Sequence, residues 1–407
     1  MKDKRIQMVV LDDDPTGIQT VHGCLLITDW HDAYVRVGFA HEQPFFYILT
    51  NTRAMTRQEA EAVTREVMET VVRVNKEFGY RLVIVSRSDS CLRGHFPLEP
   101  DVMTKVLTEN GYTIRHPIPF CPALLESGRV TIDGIHYMKD GEHLIRISDT
   151  EFAHDNVFGF HTSVLKDYIA EKGGDPADYQ IINATSYDEL YAFARTLTHE
   201  LASSPADTAV VIRSSSSLPH ALSGIDDQPL LNHSILRTHE GAGCFVVGSH
   251  VAKTTRQLAK LLSAAGTIGI EVDVQRILEA PEEQMKEVIY QIGAAASAHQ
   301  TPVVFTSRKE VRIDNADLRQ RLGQQVSDYL VEIVRRLPFT PAYLVGKGGI
   351  TSHDIMTKGL NVKTAKVLGQ VINSVPCIMT EHFPYIIFPG NVGDDESLRM
   401  IYEKLRS

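Results

Sequence analysis

Residues 9–20 read VVLDDDPTGIQT: an apolar run, three aspartates together, then Pro-Thr-Gly. Residues 7–11 read as a first buried strand, so the carboxylates stand at its carboxyl end. A solvated turn could account for them. So could a site that needs carboxylates to hold hydroxyls, a metal or a proton. What decides is how the other strands end.

A second apolar run at Phe45–Leu49 is followed by the polar loop Thr50-Asn51-Thr52-Arg53. Then comes a helix: Thr56 and Glu59 form a capping box, and Ala60, Val63, Val67, Val71, Val74 and Phe78 recur at three- and four-residue intervals before Gly79. A β-branched strand at 82–85 runs into SRSDSCLRGH (86–95), and a helix is predicted near 98–110. Residues 129–148 read as a hairpin insertion turning at Asp140-Gly141. Strands follow at 180–183 and 209–212, separated by a helix that Ser186 and Glu189 cap and that runs to about Ser203. Residues 213–232, rich in Ser, Pro, Gly and Asp, read as a loop ahead of a domain boundary near 235–242.

The second half repeats the rhythm, with strands at 244–247, 267–272, 303–306, 342–345 and 385–388 and helices at 251–265, 282–299, 315–336 and on to about 372. The expected fold is α/β in two domains, 1–235 and 236–407, each a mostly parallel sheet flanked by helices. A length of 407 residues also exceeds one ordinary core. A net charge of −10 argues against a sequence-independent nucleic-acid binder. Cys24, Cys91, Cys121, Cys244 and Cys377 show no C-x-x-C spacing, which suits a reducing compartment. No signal peptide and no apolar stretch of ~20 residues is present, so a cytoplasmic protein without a membrane partner is expected.

Ligands of open α/β sheets bind beyond the carboxyl ends of the strands. The first-half loops put there the carboxylates Asp13, Asp14 and Asp89, the guanidiniums Arg53, Arg87 and Arg93, and the hydroxyls Thr16, Ser88 and Ser90. Arginine forks suit a carboxylate and aspartates accept from hydroxyls, so the set fits a small polyhydroxylated acid. The bland alternative is an Asp89–Arg93 pair that only fixes its own loop. The second-half loops, Gly248-Ser249, GKGGIT (346–351) and PGNVG (389–393), are glycine-lined and would let backbone N–H groups approach an anion. Each alone could be a tight turn; together, opposite a hydroxy-acid site, they point to nucleotide phosphates. The six loops are expected to converge on two facing sheet edges. G-x-x-x-x-G-K-[ST], G-x-G-x-x-G, H-E-x-x-H and G-x-S-x-G are all absent. His22, His95 and His250 read as local hydrogen-bonders, and serines 214–217 as a loop or helix cap.

In these loops the chain resembles the four-carbon acid sugar kinase family over nearly its whole length. DDPTG (13–17) matches the family's D-D-x-T-G, NTR (51–53) its substrate loop, and SDSCLRGH (88–95) its D-S-x-x-R-G-N. VVGSHVAKTTRQ (246–257) looks like the opening of its nucleotide domain, GGITS (348–352) its G-G-x-T-S/A, and FPGNVG (388–393) its late G-N-x-G. His95 stands for the usual Asn, His250-Val251 for a Cys-Ser-like pair, and Asp12 is an extra aspartate.

The resemblance implies a sugar-acid-binding N-terminal domain and an ATP-binding C-terminal domain. It implies an ATP-dependent kinase, with Mg2+, acting on a hydroxyl, typically terminal, of an acid such as threonate, erythronate or a 3-oxo-tetronate. Arg53, Arg87 or Arg93 would clamp the carboxylate, and Asp13, Asp14, Thr16, Ser88 and Ser90 would hold hydroxyls. Asp89, or one of Asp13 and Asp14, would take the proton. Gly348, Gly349, Ile350, Thr351, Gly390 and Asn391 would line ATP, with Ser249 near its phosphates. Mg2+ ligands are unassigned, and a homodimer is one open assembly. Rival readings are an ATP-using ligase or a dehydrogenase on a hydroxy acid, and a non-catalytic sugar-acid sensor.

Overall fold

The computed structural model describes residues 6–308 and 316–406. The chain divides into two compact units between Asp227 and Gln228.

The strands of the first unit are β1 (Ile6–Asp12), β2 (Leu25–Ile27), β3 (Phe45–Leu49), β4 (Arg81–Arg87), β5 (Thr113–Ile114), β6 (Ile118–Cys121), β7 (Arg129–Ile132), β8 (Ile135–Asp140), β9 (His143–Arg146), β10 (Tyr179–Ile181) and β11 (Thr208–Ser214). Its main sheet runs β10-β6-β11-β4-β1-β3-β2 with every neighbour parallel. β1, β3 and β11 are buried along their whole length, as strands covered on both faces must be. The register sets Ser214 beside Arg87, Arg87 beside Asp12, and Asp12 beside Leu49. Four strands therefore end in one row.

The helix Arg57–Phe78 covers this sheet. Both arms of the Thr56–Glu59 capping box are made, and Gly79 closes the helix in the left-handed conformation at φ 70°. Its apolar face, Val67, Val71 and Val74, packs in one core with Val9, Ile48 and Ile84. The insertion is a three-stranded antiparallel sheet, β7-β8-β9, so the expected hairpin turn at Asp140-Gly141 is present but one further strand precedes it.

The second unit has strands β12 (Cys244–Val247), β13 (Thr267–Val272), β14 (Thr301–Thr306), β15 (Leu344–Lys347), β16 (Thr364–Ile372), β17 (Val375–Met379) and β18 (Pro384–Phe388). Parallel strands run β13-β14-β12-β15-β18, and the antiparallel pair β17-β16 continues beyond β18. The expected helices up to 372 are thus corrected: 364–379 is a hairpin. Burial along β16 alternates with a period of two, as a strand with one face in the core requires. The expected loop 213–232 is also corrected, since β11 reaches Ser214 and Ser217–Ser223 is a buried helix. Sequence patterning missed β2 and the helix Asp32–Ala40. The helix expected from 315 is seen as Ala316–Arg335; residue 315 itself lies outside the described residues.

Thr56 is exposed, so Thr56→Ala removes the cap without disturbing the core. A loss of about 1 kcal/mol is expected in chemical denaturation, with an unchanged m-value.

Candidate active site

At the row of strand ends in the first unit, Asp12 and Arg87 are both buried and pair at 2.9 Å. Arg87 also lies 3.5 Å from Asp13 and donates from Nε to Ser216 Oγ at 3.2 Å. Burial drives the Asp12 carboxyl up to about 7, against the pull of Arg87. Its Oδ2 has no hydrogen-bond partner among the described residues. Gly17 stands against it, where a Cβ would fall 2.1 Å from that oxygen. Arg87, expected among the carboxylate clamps, is here the internal counter-ion of the aspartates.

Arg53 forks across the other two aspartates. It donates to Asp13 from Nη2 (2.5 Å) and Nε (3.1 Å) and to Asp14 from Nη1 (3.2 Å). Asp13 also accepts from Ser88 Oγ at 2.5 Å, and Asp14 from the amide (2.8 Å) and hydroxyl of Thr16. Burial pushes the Asp14 carboxyl up, but Arg53 and Arg87 outweigh it and the result is a lowered pKa. Arg93 donates from Nε to Asp89 at 2.6 Å, lies 3.7 Å from Asp155, and stands over the Phe152 ring at 5.0 Å. Burial raises the Asp89 carboxyl too, yet Arg53 and Arg93 bring it down to about 2. Exposure separates the groups: the Asp13 side chain is 2% accessible, whereas Arg53 is 18%, Asp14 22%, Asp89 12% and Arg93 26%. Only the second set can meet a ligand without rearrangement.

The loop after β4 is held from several sides. Gly94 has φ 127°, and a Cβ there would lie 2.3 Å from Ser88 Oγ and 3.1 Å from Asp13 Oδ2, so glycine is required twice over. His136 Nε2 donates to the Ser90 carbonyl (2.8 Å) and Tyr168 Oη to the Leu92 carbonyl (2.7 Å). Burial takes the His136 imidazole down to about 4, so it stays a neutral donor. His95 Nε2 reaches the carbonyls of Thr52 (3.0 Å) and Met55 (3.1 Å), the local role expected of it. Sequence reading missed Glu99 and Arg213, which pair at 2.7 Å while Glu99 accepts from Thr52 Oγ1 at 2.6 Å. The available signal was a charge at positions where the helix and strand should be apolar.

In the second unit, register places Val247, Lys347 and Phe388 side by side at the ends of β12, β15 and β18. Ser249 N donates to Lys347 O (3.2 Å), and Gly348 N to Phe388 O (2.9 Å). Thr254 Oγ1 lies 3.0 Å from Ser249 Oγ and donates to Gly390 O (3.3 Å); Lys253 Nζ donates to Asn391 O (3.1 Å). A Cβ on Gly348, whose φ is 117°, would sit 3.1 Å from Ser249 Cβ, and one on Gly390 3.5 Å from Ser249 Oγ. A Cβ on Gly248 would strike Thr351 Oγ1. Ser249, Gly348, Thr351, Gly390 and Asn391 are therefore brought together. Gly349 faces open space and Ile350 is exposed.

Residues 8–212 match the model of a sugar-binding N-terminal domain, and residues 244–398 that of a nucleotide-binding C-terminal domain. The chain belongs to the four-carbon acid sugar kinase family. Solved structures carry the same fold. Haemophilus influenzae protein HI1011, of the DUF1537 family, is 14% identical, with 98% of this chain and 100% of that one covered at a TM-score of 0.66. A Salmonella typhimurium LT2 protein provisionally described as a tRNA synthase is 17% identical, with 97% and 98% covered and a TM-score of 0.68. No curated protein matches the sequence. No helix among the described residues is long and apolar enough to cross a membrane.

Asp89 gives a pH signature. Its folded pKa lies below its unfolded value near 3.8, so its stabilisation is present above pH 4 and lost as pH falls toward 2. Asp89→Asn should flatten the denaturation midpoint between pH 4 and pH 2 relative to the parent; identical slopes would show that the attraction of Arg53 and Arg93 for Asp89 contributes nothing.

Proposed function

We propose that the protein transfers the γ-phosphoryl group of ATP to a hydroxyl of a four-carbon sugar acid such as threonate, erythronate or a 3-oxo-tetronate. The observation that carries this reading is the partly open set Arg53, Asp14, Asp89 and Arg93 at the strand ends of the sugar-binding unit. Arg93 commits Nε to Asp89 and turns Nη1 toward Asp155 at 3.7 Å, so Nη2 is the nitrogen left to grip the carboxylate of the acid. Asp14, with Thr16 behind it, accepts from a sugar hydroxyl. Arg53 holds Asp13 and Asp14 at fixed spacing. Ser88 and Ser90 are buried and shape the wall of the site.

Phosphoryl transfer needs positioning and charge neutralisation more than a strong base. Asp89 is ionised throughout the physiological range, so it suits a hydrogen-bond acceptor that orients the terminal hydroxyl and takes its proton late, as the oxygen–phosphorus bond forms. Asp13 is the other acid in reach of that role, once it is uncovered.

On the nucleotide side, Gly348 and Gly390 leave room around Ser249 that a side chain would fill, and Thr351 and Asn391 border it; Gly349 and Ile350 form its open lip. Such a cradle fits phosphate oxygens approached by backbone N–H groups. Among the described residues no group of three or more His, Cys, Asp or Glu could hold a metal ion, so Mg2+ enters this reading on the phosphates.

Two variants separate the halves of the reaction. Asp89→Asn should lower kcat for sugar-acid-dependent ADP release by about 100-fold while the ADP Kd stays within twofold; unaltered kcat would remove Asp89 from proton transfer. Gly348→Val should abolish ADP binding in calorimetry while a sugar acid still raises the melting temperature. Retained ADP binding would move the nucleotide site elsewhere.

A further inference from the structure

Lys347 is the last residue of β15 and is fully buried. Its Nζ donates to the carbonyls of Pro389 (2.6 Å) and Gly390 (3.1 Å) and stands 3.8 Å from the centre of the Phe388 ring. Two carbonyl oxygens and a ring face are the environment of an ammonium, yet every one of these partners is neutral. A buried cation is ordinarily paired with a carboxylate. The titratable side chains on the surrounding elements are Lys253 on the helix Ala252–Leu262, His250 beside Ser249, Arg308 after β14, His353 and Asp354 on the helix Gly349–Asp354, and Tyr385 on β18. Asp354 is taken up by Ser327 (2.5 Å) and Lys358 (3.1 Å). Arg308 also donates to carbonyls, those of Ser249 (2.7 Å) and Thr306 (2.9 Å), though it has the Glu271 carboxylate on β13 acting on it as well. Lys253 donates to the carbonyl of Asn391. Three cations thus point at carbonyl oxygens of the glycine loops or their neighbours.

We propose that Lys347 is the internal cation of the nucleotide site, tying the 389–390 turn to the end of β15 and taking its counter-charge from the phosphates of a bound nucleoside polyphosphate. This rests on the nucleotide assignment made above and adds a residue and a proton to it. Burial, and secondarily Lys253, bring the free amine down to about 7. Above that pH the empty protein holds Lys347 largely neutral, and the arrival of a polyanion restores its proton. Binding therefore takes up a proton at pH 8 and almost none at pH 6, where Lys347 is already charged.

The test is calorimetry of Mg2+-ADP binding to the full chain at pH 8 and pH 6, in buffers of differing ionisation enthalpy. Expected at pH 8 is a buffer-dependent enthalpy equal to an uptake of more than half a proton, about 0.9 for an amine of pKa 7, and little uptake at pH 6. Lys347→Arg, which cannot lose its proton, should bind ADP with no uptake at pH 8, and Lys347→Met should bind it at least tenfold more weakly. ADP binding with no buffer dependence in the parent protein would overturn the role of Lys347 and leave the nucleotide site standing. Uptake unchanged in Lys347→Arg would assign the proton to another group, His250 first, and overturn it equally. Absence of any ADP binding would overturn the nucleotide assignment itself.

Discussion

The pair of Asp12 and Arg87 is the constraint on which the sugar-binding unit depends. Both residues end their strands in register, and both are shut away from water. Without Arg87, burial would hold the Asp12 carboxyl neutral, and without Asp12 the guanidinium would be left to Asp13 alone at 3.5 Å. Replacing a buried ion pair by apolar residues is often neutral or stabilising, so the pair is poorly explained as glue. Its effect is positional. Arg87 touches Asp13 as well as Asp12, Asp13 holds Arg53 and Ser88, and Arg53 holds Asp14. Charges that reach solvent are thereby fixed, one link at a time, to charges that do not.

The two units solve opposite electrostatic problems. In the first, carboxylates and guanidiniums are interleaved, so a ligand with both hydroxyls and a carboxylate can exchange partners with the rim groups while the buried ones stay in place. In the second, Lys253, Arg308 and Lys347 rest on carbonyl oxygens, and Arg308 has a carboxylate, Glu271, acting on it, whereas Lys347 has none among the described residues. A chain with a net charge of −10 can still offer an anion a local welcome, because a field in a buried loop cluster is set by its nearest groups.

Much of this could be read before any coordinates. The Thr56–Glu59 cap, the strand-then-polar-loop order and the placement of Asp13, Asp14, Arg53, Asp89, Ser249 and Gly348 just beyond strand ends follow from local pattern, and local pattern is what a sequence displays. Asp12 and Arg87 did not yield their relation, because it arises from register between β1 and β4, which no spacing along the chain encodes. Glu99 and Arg213 stand out singly as charges at apolar positions, but their pairing likewise depends on how the helix carrying Glu99 packs on β11. Residues 364–372 extend the preceding helical stretch in a local reading and show themselves as strand only through a burial period of two. Lys347 is only one residue of GKGGIT in the sequence; its burial at the end of β15 gives it a different meaning.

The central claim is that phosphate is transferred to a hydroxyl. Phosphorus NMR of the purified protein incubated with ATP, Mg2+ and threonate or erythronate, or a 3-oxo-tetronate, tests it most directly. The account predicts a new phosphomonoester resonance that splits by coupling to methylene protons and grows in step with ADP. Release of AMP and pyrophosphate, an acyl phosphate that hydroxylamine discharges, or ADP with only inorganic phosphate would contradict it.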